Sequence, residues 1–259
     1  MNKYLLFLIF FSTLVFSQTI HIKYKHVRSS IAILYEDLYV NNSKALSIQD
    51  SILLNDPKNS LVGSVSANFG GPSGKVLPRK SYIQSWISNS HLRKFNSDEI
   101  VNEINFTVED IVPEIKWTIF EKVTKTIAGY KCIMAKGIYR GTPIVAYFTK
   151  EISFSIGPYK FFGLPGAILD VREVSKSYNI WVAESIHLNS NFDTSYSFPS
   201  KFKTLNMKDY INLYDQSRID FIKKVNDNLP SGVNSRTLNS NRFILEKQME
   251  WEDSLYEIK

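Results

Sequence analysis

The 259-residue chain carries 31 Lys and Arg against 25 Asp and Glu, for a net charge of +6, and 44% of its residues are hydrophobic and 14% aromatic. That composition belongs to a folded, β-rich chain and excludes intrinsic disorder. The single cysteine excludes an intramolecular disulfide, and basic residues interleaved with acids, with no block of five or six like charges, argue against nucleic acid as a partner.

Lys3 precedes an apolar run from Leu5 to Phe16, roughly 12 residues, which fits a secretory signal and falls short of the about 20 that span a bilayer. Val15 and Ser17 stand at the −3 and −1 positions of a cleavage before Gln18. Residues 1–17 are therefore expected to be removed, and the net charge falls by one with Lys3. The remaining residues 18–259 are expected to form one exported domain that is not an integral membrane protein. No Cys follows the apolar run to take a lipid anchor. A weak attraction of the basic chain to anionic envelope lipid or glycan fits its charge.

From Ile20 to Arg28 apolar and polar residues alternate strictly, with Ile20, Ile22 and Tyr24 on one face and His21, Lys23 and Lys25 on the other, the pattern of a half-buried strand. A second strand is read over 31–40, a turn at Asn41-Asn42, and a hairpin partner over 45–48. Residues 55–78 are rich in turn signals and read as a loop-rich excursion. Within it, Gly70-Gly71-Pro72-Ser73-Gly74-Lys75 is one residue short of a phosphate loop, and Val76 stands where Ser or Thr would hold Mg²⁺. Strands follow over 81–93, 102–108 and 112–120, the last with Ile115, Trp117 and Ile119 on one face. A hairpin is read over 131–149, turning at Arg140-Gly141-Thr142-Pro143. Cys132, in its first arm, reads as a buried, inert thiol.

Between this hairpin and the next strand lies Gly157-Pro158-Tyr159-Lys160-Phe161-Phe162-Gly163-Leu164-Pro165-Gly166. Pro158 and Pro165 fix their own φ and push Gly157 and Leu164 towards extended conformations. Pro165-Gly166 suits the centre of a type II turn. The stretch reads as a rigid corner ahead of the strand, with Phe161 and Phe162 either buried against the sheet or lining a groove. A hairpin over 167–174 and 178–186 follows, carrying Trp181, with Asp170 and Arg172 on one strand face as an exposed pair. The period then changes: Met207, Tyr210, Ile211, Tyr214, Phe221, Ile222, Val225 and Leu229 recur at helical spacing, with Asn206 as cap and Pro230-Ser231-Gly232 as terminator. A helix over 207–229 is expected to cover one face of the sheet, and a short helix is read around 243–255. The fold class expected is mainly β with some α: a curved antiparallel meander, as far as a half-open barrel, with a C-terminal covering helix.

An ordered set of segments carries a family resemblance: Trp117-Thr118-Ile119, Thr126-Ile127-Ala128-Gly129-Tyr130-Lys131-Cys132, Met134-Ala135-Lys136 to Tyr139-Arg140-Gly141, Tyr147-Phe148-Thr149-Lys150-Glu151-Ile152, and then Gly157-Pro158 with Gly163-Leu164-Pro165-Gly166. Over this quarter of the chain the sequence resembles the GLPGLI family of exported Bacteroidetes proteins. Ala167 departs from the Leu of the family name, and Ile168 restores its last residue. The resemblance implies export to the periplasm, to the periplasmic face of the outer membrane, or beyond the cell, and it brings no catalytic residues. The order of loop, strand, hairpin and helix also resembles periplasmic lipoprotein-carrier proteins, at the level of fold alone.

The chemistry-bearing candidates are sparse. His21, His26, His91 and His187 are scattered, without metal-ligand spacing, and no Gly-x-Ser-x-Gly elbow is present. Asp170 and Glu173 complete the possible acids and bases. Neither a metal nor a cofactor is expected. The binding candidates are aromatic: Trp117, Tyr147, Tyr159, Phe161, Phe162 and Trp181. The function expected is that of a non-enzymatic binding or accessory protein, for a lipophilic ligand or for an outer-membrane or other envelope partner, with a periplasmic hydrolase as the alternative.

Overall fold

The computed structural model describes residues 19–29, 33–41, 44–50, 80–86, 92–174, 176–190, 197–229 and 245–252, with only the backbone described at 50 and 80–86. The signal segment, the loop-rich excursion up to residue 79 and His91 lie outside the described residues. Strands β1 (Ile20–Val27), β2 (Ile33–Val40), β3 (Lys44–Asp50), β4 (Lys80–Trp86), β5 (Leu92–Val101) and β6 (Ile104–Pro113) are followed by β7 (Thr118–Ile127), β8 (Tyr130–Tyr139), β9 (Thr142–Thr149), β10 (Ala167–Glu173), β11 (Ile180–Leu188) and β12 (Lys203–Asn206). Among the described residues one helix, α1 (Met207–Asp227), follows the strands.

All these strands join one sheet in the order β12-β6-β5-β4-β3-β2-β1-β11-β10-β9-β8-β7. It is antiparallel except where β12 runs parallel to β6, and it does not close into a barrel. β1 lies inside the sheet. Successive hairpins carry the chain from it to β6; the chain then restarts at the far edge with β7 and walks back until β11 pairs with β1.

The alternation read in β1 is present: Ile20, Ile22 and Tyr24 are buried while His21, Lys23 and Lys25 are half-buried. The hairpin of β8 and β9 turns on Arg140 and Gly141, both at positive φ (42° and 78°), which matches the twist of the flanking strands.

Several expectations are corrected. The strand read over 81–93 belongs to two strands, β4 and β5, which pair antiparallel. β5 escapes notice because its inward positions include Arg93 and Ser97 beside Phe95. The strand read over 112–120 is broken: β6 ends at Pro113, β7 begins at Thr118, and 114–117 is a connector. It has to be, because β6 and β7 stand near opposite ends of the sheet. Ile115 turns into the core on the way. Described residues 245–252 form an irregular segment, not a helix. The helix at 207 is present, capped by the Asn206 side chain accepting from the Asp209 amide. It docks by its first turns, through Met207, Tyr210 and Ile211, beside Val101, Phe106, Val108 and Met249. Farther along, Ile219 (48%) and Phe221 (63%) are exposed, so most of the helix does not cover the sheet. Among the described residues no helix is long and apolar enough to cross a membrane.

The main core lies on one face of the sheet. Ile152, Ile156, Phe161, Phe162 and Leu164, from the β9–β10 loop, pack there among residues of β1, β2, β3, β5, β8, β9, β10 and β11.

Candidate functional site

The β9–β10 loop crosses the core face, and its backbone explains its composition. Gly166, at φ 150°, passes so close to β9 that an added Cβ would stand 2.0 Å from the Thr149 carbonyl oxygen. Its amide donates to the Leu164 carbonyl, and the Ala167 amide donates to Ile152. The expected type II turn is therefore replaced by a tighter reversal around Pro165, because the next amide is taken by the loop's own entry. Earlier in the loop, the Phe161 amide donates to Pro158 around Tyr159, a non-glycine residue at φ 53°.

That bend sends two neighbouring residues to two buried polar centres. The Tyr159 amide donates to Oε1 of Glu36 at 2.7 Å. The same carboxyl accepts from Ser47 Oγ (2.6 Å), Trp181 Nε1 (2.9 Å) and Gln49 Nε2 (3.2 Å). Glu36 is fully buried, and burial pushes its pKa up despite these donors. Four strands and loops thus meet on one carboxyl with no cation among those donors.

Lys160 turns the other way. Its Nζ donates to Asp110 (2.7 Å) and to Glu246 (2.8 Å). Arg140 forks onto Asp110 with two bonds of 2.7 Å, touches Glu246 at 3.0 Å, and reaches Glu250 through Nε at 2.8 Å. Tyr139 Oη donates to Glu246 at 2.9 Å. Burial alone would lower the pKa of Lys160, but Asp110 and Glu246 outweigh it and raise it. Burial alone would raise that of Glu246, yet Lys160 and Arg140 hold it well below the usual carboxylate range. This network fastens the irregular segment 245–252. Leu245 enters the main core, Met249 the smaller one, and the Gln248 amide donates to the Arg140 carbonyl.

Beside the network, a groove of about 510 Å³ runs between residues 112–118 and 136–140, with Glu250 at its rim. Ile115 and Gly137 both line it and pack so closely that a Cβ on Gly137 would collide with Ile115 at 2.9 Å; Trp117 packs on the same glycine without lining the groove. β7 starts at the groove and ends the sheet, pairing with β8 alone among the described strands.

The aromatic candidates are distributed as follows. Tyr159, Phe161 and Trp181 form one cluster with Tyr139, at centroid separations of 5.3–6.1 Å. Phe161, Phe162 and Trp181 are buried. Phe162 lies against Phe95, under the Arg93 guanidinium, and its carbonyl accepts from Trp117 Nε1 at 2.9 Å. Tyr147 stands apart, with Lys125 Nζ 3.9 Å above its ring. None of the six lines the groove. Of the motif residues, Gly157, Pro158, Leu164 and Gly166 are buried, Gly163 is half-buried and only Pro165 is exposed.

The acid–base candidates are engaged too. Asp170 is buried rather than exposed: a bulge in β10 turns it under Lys125 and Arg172, which both bond to it. Glu173 holds Lys247 (2.6 Å) and Asn179 (2.8 Å). His21 bonds Asp37 at 2.7 Å and stacks near His187, and His26 is buried against Trp181 at 3.8 Å. Cys132 is buried, and desolvation pushes its thiol up to about 11. Among the described residues no three His, Cys, Asp or Glu side chains are placed to hold a metal ion.

Sequence reasoning missed Glu36, Asp110, Arg140, Lys160 and Glu246. Two of them carried a signal. Glu36 falls in the inward phase of Leu34, Leu38 and Val40, and Lys160 sits between two aromatics in a Gly/Pro-dense loop.

No family model and no curated protein matches the chain. Among solved structures it is similar to PNGF-II in two space groups: in C2 with a TM-score of 0.50 at 15% identity, and in P21 with 0.49 at 13%. Each alignment covers 78% of this chain and 34% of the other, so the chain spans about a third of the length of the solved structures it resembles. At this identity the likeness to the C2 form extends to the fold alone.

Proposed function

We propose that the protein is an exported member of the GLPGLI family that serves the cell envelope as a non-enzymatic accessory protein, engaging an outer-membrane or other envelope protein. The observation that carries this reading is the end strand β7, which has no strand on its outer side among the described residues and opens at its start onto the groove. A sheet edge recognises an extended segment through backbone hydrogen bonds, with neighbouring pockets for alternate side chains. The middle of β7 is bulged and carries Glu121 and Lys122, the usual guard against indiscriminate pairing. Recognition therefore concentrates where the strand begins.

The protein-partner reading is favoured over a lipophilic ligand because Phe161, Phe162 and Trp181 fill the core instead of lining the groove. A hydrolase finds less support: Asp170 is held by two cations, and the Cys132 thiol stays protonated at neutral pH. A photoreactive benzophenone side chain placed at Ile119 or Lys122, in the native host, tests the reading. An adduct with an identified envelope protein, competed away by unlabelled purified protein, is the expected result. Absence of any adduct, with a lipid co-purifying in native mass spectrometry, overturns it in favour of the lipophilic ligand.

A further inference from the structure

We propose that Lys160 and Asp110 join in an intramolecular amide between Nζ and Cγ, with Glu246 as the proton carrier, so that the folded chain forms a covalent cross-link of its own. This goes beyond the accessory-protein reading and stands independently of it. Lys160 Nζ lies 2.7 Å from Asp110 Oδ2 and 2.8 Å from Glu246 Oε1, and the three side chains are 3%, 2% and 5% exposed. Cγ lies one bond behind Oδ2, which puts Nζ near the reacting separation of about 3–3.5 Å. An amine, the carboxyl it attacks and a second carboxyl to carry protons, at hydrogen-bond distance and shut away from water, are the groups that amide formation needs.

Arg140 decides which carboxyl is attacked. It forks onto both oxygens of Asp110, which fixes that carboxyl and draws charge from its carbon. Glu246 instead meets Lys160, Arg140 and Tyr139 through Oε1 alone, a geometry suited to taking a proton. Burial disfavours the charged amine, but Asp110 and Glu246 keep it protonated at rest. The step therefore begins when Glu246 takes a proton from Nζ. The freed electron pair attacks Cγ, Arg140 stabilises the oxyanion, and Glu246 returns the proton to the departing oxygen. The Nζ–Cγ bond forms and one Cγ–O bond breaks. The departing oxygen leaves as water with two of the ammonium protons, and the third stays on the amide. An ammonium and a carboxylate become a neutral amide, so the net charge of the cluster is unchanged and no co-reactant is required. Arg140 keeps Glu246 and Glu250 as partners. One event per chain suffices, so a slow step is enough, and the ion-paired chain is its precursor. Asp110 stands on β6 and Lys160 on the β9–β10 loop, 50 residues apart. A cross-link over such a loop restrains the unfolded chain as a disulfide does, in a chain whose single cysteine can form none internally.

Tandem mass spectrometry of a denatured tryptic digest of the purified protein provides the test. The expected product is a branched peptide joining residues 95–116 to residues 151–172, uncut after Lys160 and lighter by one water than its two arms together. Lys160→Arg keeps the cation but has no primary amine, and Glu246→Gln keeps both reacting groups but cannot take the proton. Neither variant should give the branched peptide, with circular dichroism confirming that each is folded. Cleavage after Lys160 throughout the wild-type sample overturns the proposal and leaves a plain ion-pair network. A water loss confined to one unbranched peptide, as in a cyclised aspartate, overturns it as well. A branched peptide that persists in Glu246→Gln overturns the role given to Glu246. The wild-type digest decides for or against the bond even where a variant fails to fold.

Discussion

Glu36 shows how a single side chain can decide the course of several elements. Two of its donors, the Tyr159 amide on Oε1 and the Trp181 indole on Oε2, are fixed N–H groups that cannot reverse. In a Glu36→Gln variant the amide nitrogen faces one of them whichever way it turns. Leaving a buried donor unsatisfied costs about 1–3 kcal/mol, so urea unfolding near neutral pH should show a loss of that size. The pH dependence has a definite sign. Burial raises the folded pKa of Glu36, so folding takes up a proton between its unfolded value and the raised one, and stability falls as pH rises through that window. The Gln variant lacks this slope, and its deficit should grow as pH is lowered; a deficit independent of pH would contradict the assignment. Gly166 makes the same point for backbone. With Thr149 O at 2.0 Å from a hypothetical Cβ and φ at 150°, Gly166→Ala should cost on the order of 3 kcal/mol or more, measured by the same denaturation. A loss below about 1 kcal/mol would mean that the loop has room to shift.

The irregular segment 245–252 is held by buried charge as well as by its apolar anchors, and an acid response follows from the charge. The folded pKa of Glu246 is depressed by Lys160 and Arg140 against the opposing effect of burial. Its contribution to stability is present above the unfolded carboxylate value, about 4.3, and is lost as pH falls through the depressed value. Glu246→Gln, which leaves buried cations undercompensated, should cost about 3 kcal/mol near neutral pH, with the gap to the wild type closing in strong acid. A gap that stays constant from neutral to strongly acidic pH would show that Glu246 is not the titrating partner. Elements with a regular period were legible in the sequence: β1 by strict alternation, the β8–β9 hairpin by its Gly-Pro turn, the helix by its cap and spacing. Elements defined by distant partners were not. β12 is four residues long and exists only because β6 offers it a parallel edge. The segment at 245 has apolar and acidic residues mixed in a helix-like way, but Leu245 and Met249 are drawn into two different cores. The same limit applies to the site, since Asp110, Arg140, Lys160 and Glu246 are brought together only by tertiary folding.

At the scale of the molecule, the sheet consists of two meanders, β1–β6 and β7–β11, whose strands pair with each other at one place, β1 against β11. Residues paired there, such as Ile20 and Leu188, are far apart in the chain, so the junction forms at a high entropic cost of loop closure. Nothing in a local sequence pattern announces such a seam; the alternation of β1 is satisfied equally well by any neighbour. What secures it is a set of cross-meander bonds: Tyr24 Oη to the Ile168 carbonyl at 2.7 Å, and Trp181 Nε1 to Glu36 at 2.9 Å. The signature loop reinforces them, because its Phe161 stacks edge-on against Trp181 while Tyr159 holds Glu36. Trp181→Phe keeps an aromatic ring at the seam but removes the indole donor and leaves a void. The combined lost bond and cavity should cost about 2–4 kcal/mol. Far-UV circular dichroism in urea reads the consequence without relying on the lost fluorophore. If the two meanders are one cooperative unit, the variant unfolds in a single transition at lower urea. Two separated transitions would show that each meander holds its own structure and that the seam joins bodies already folded.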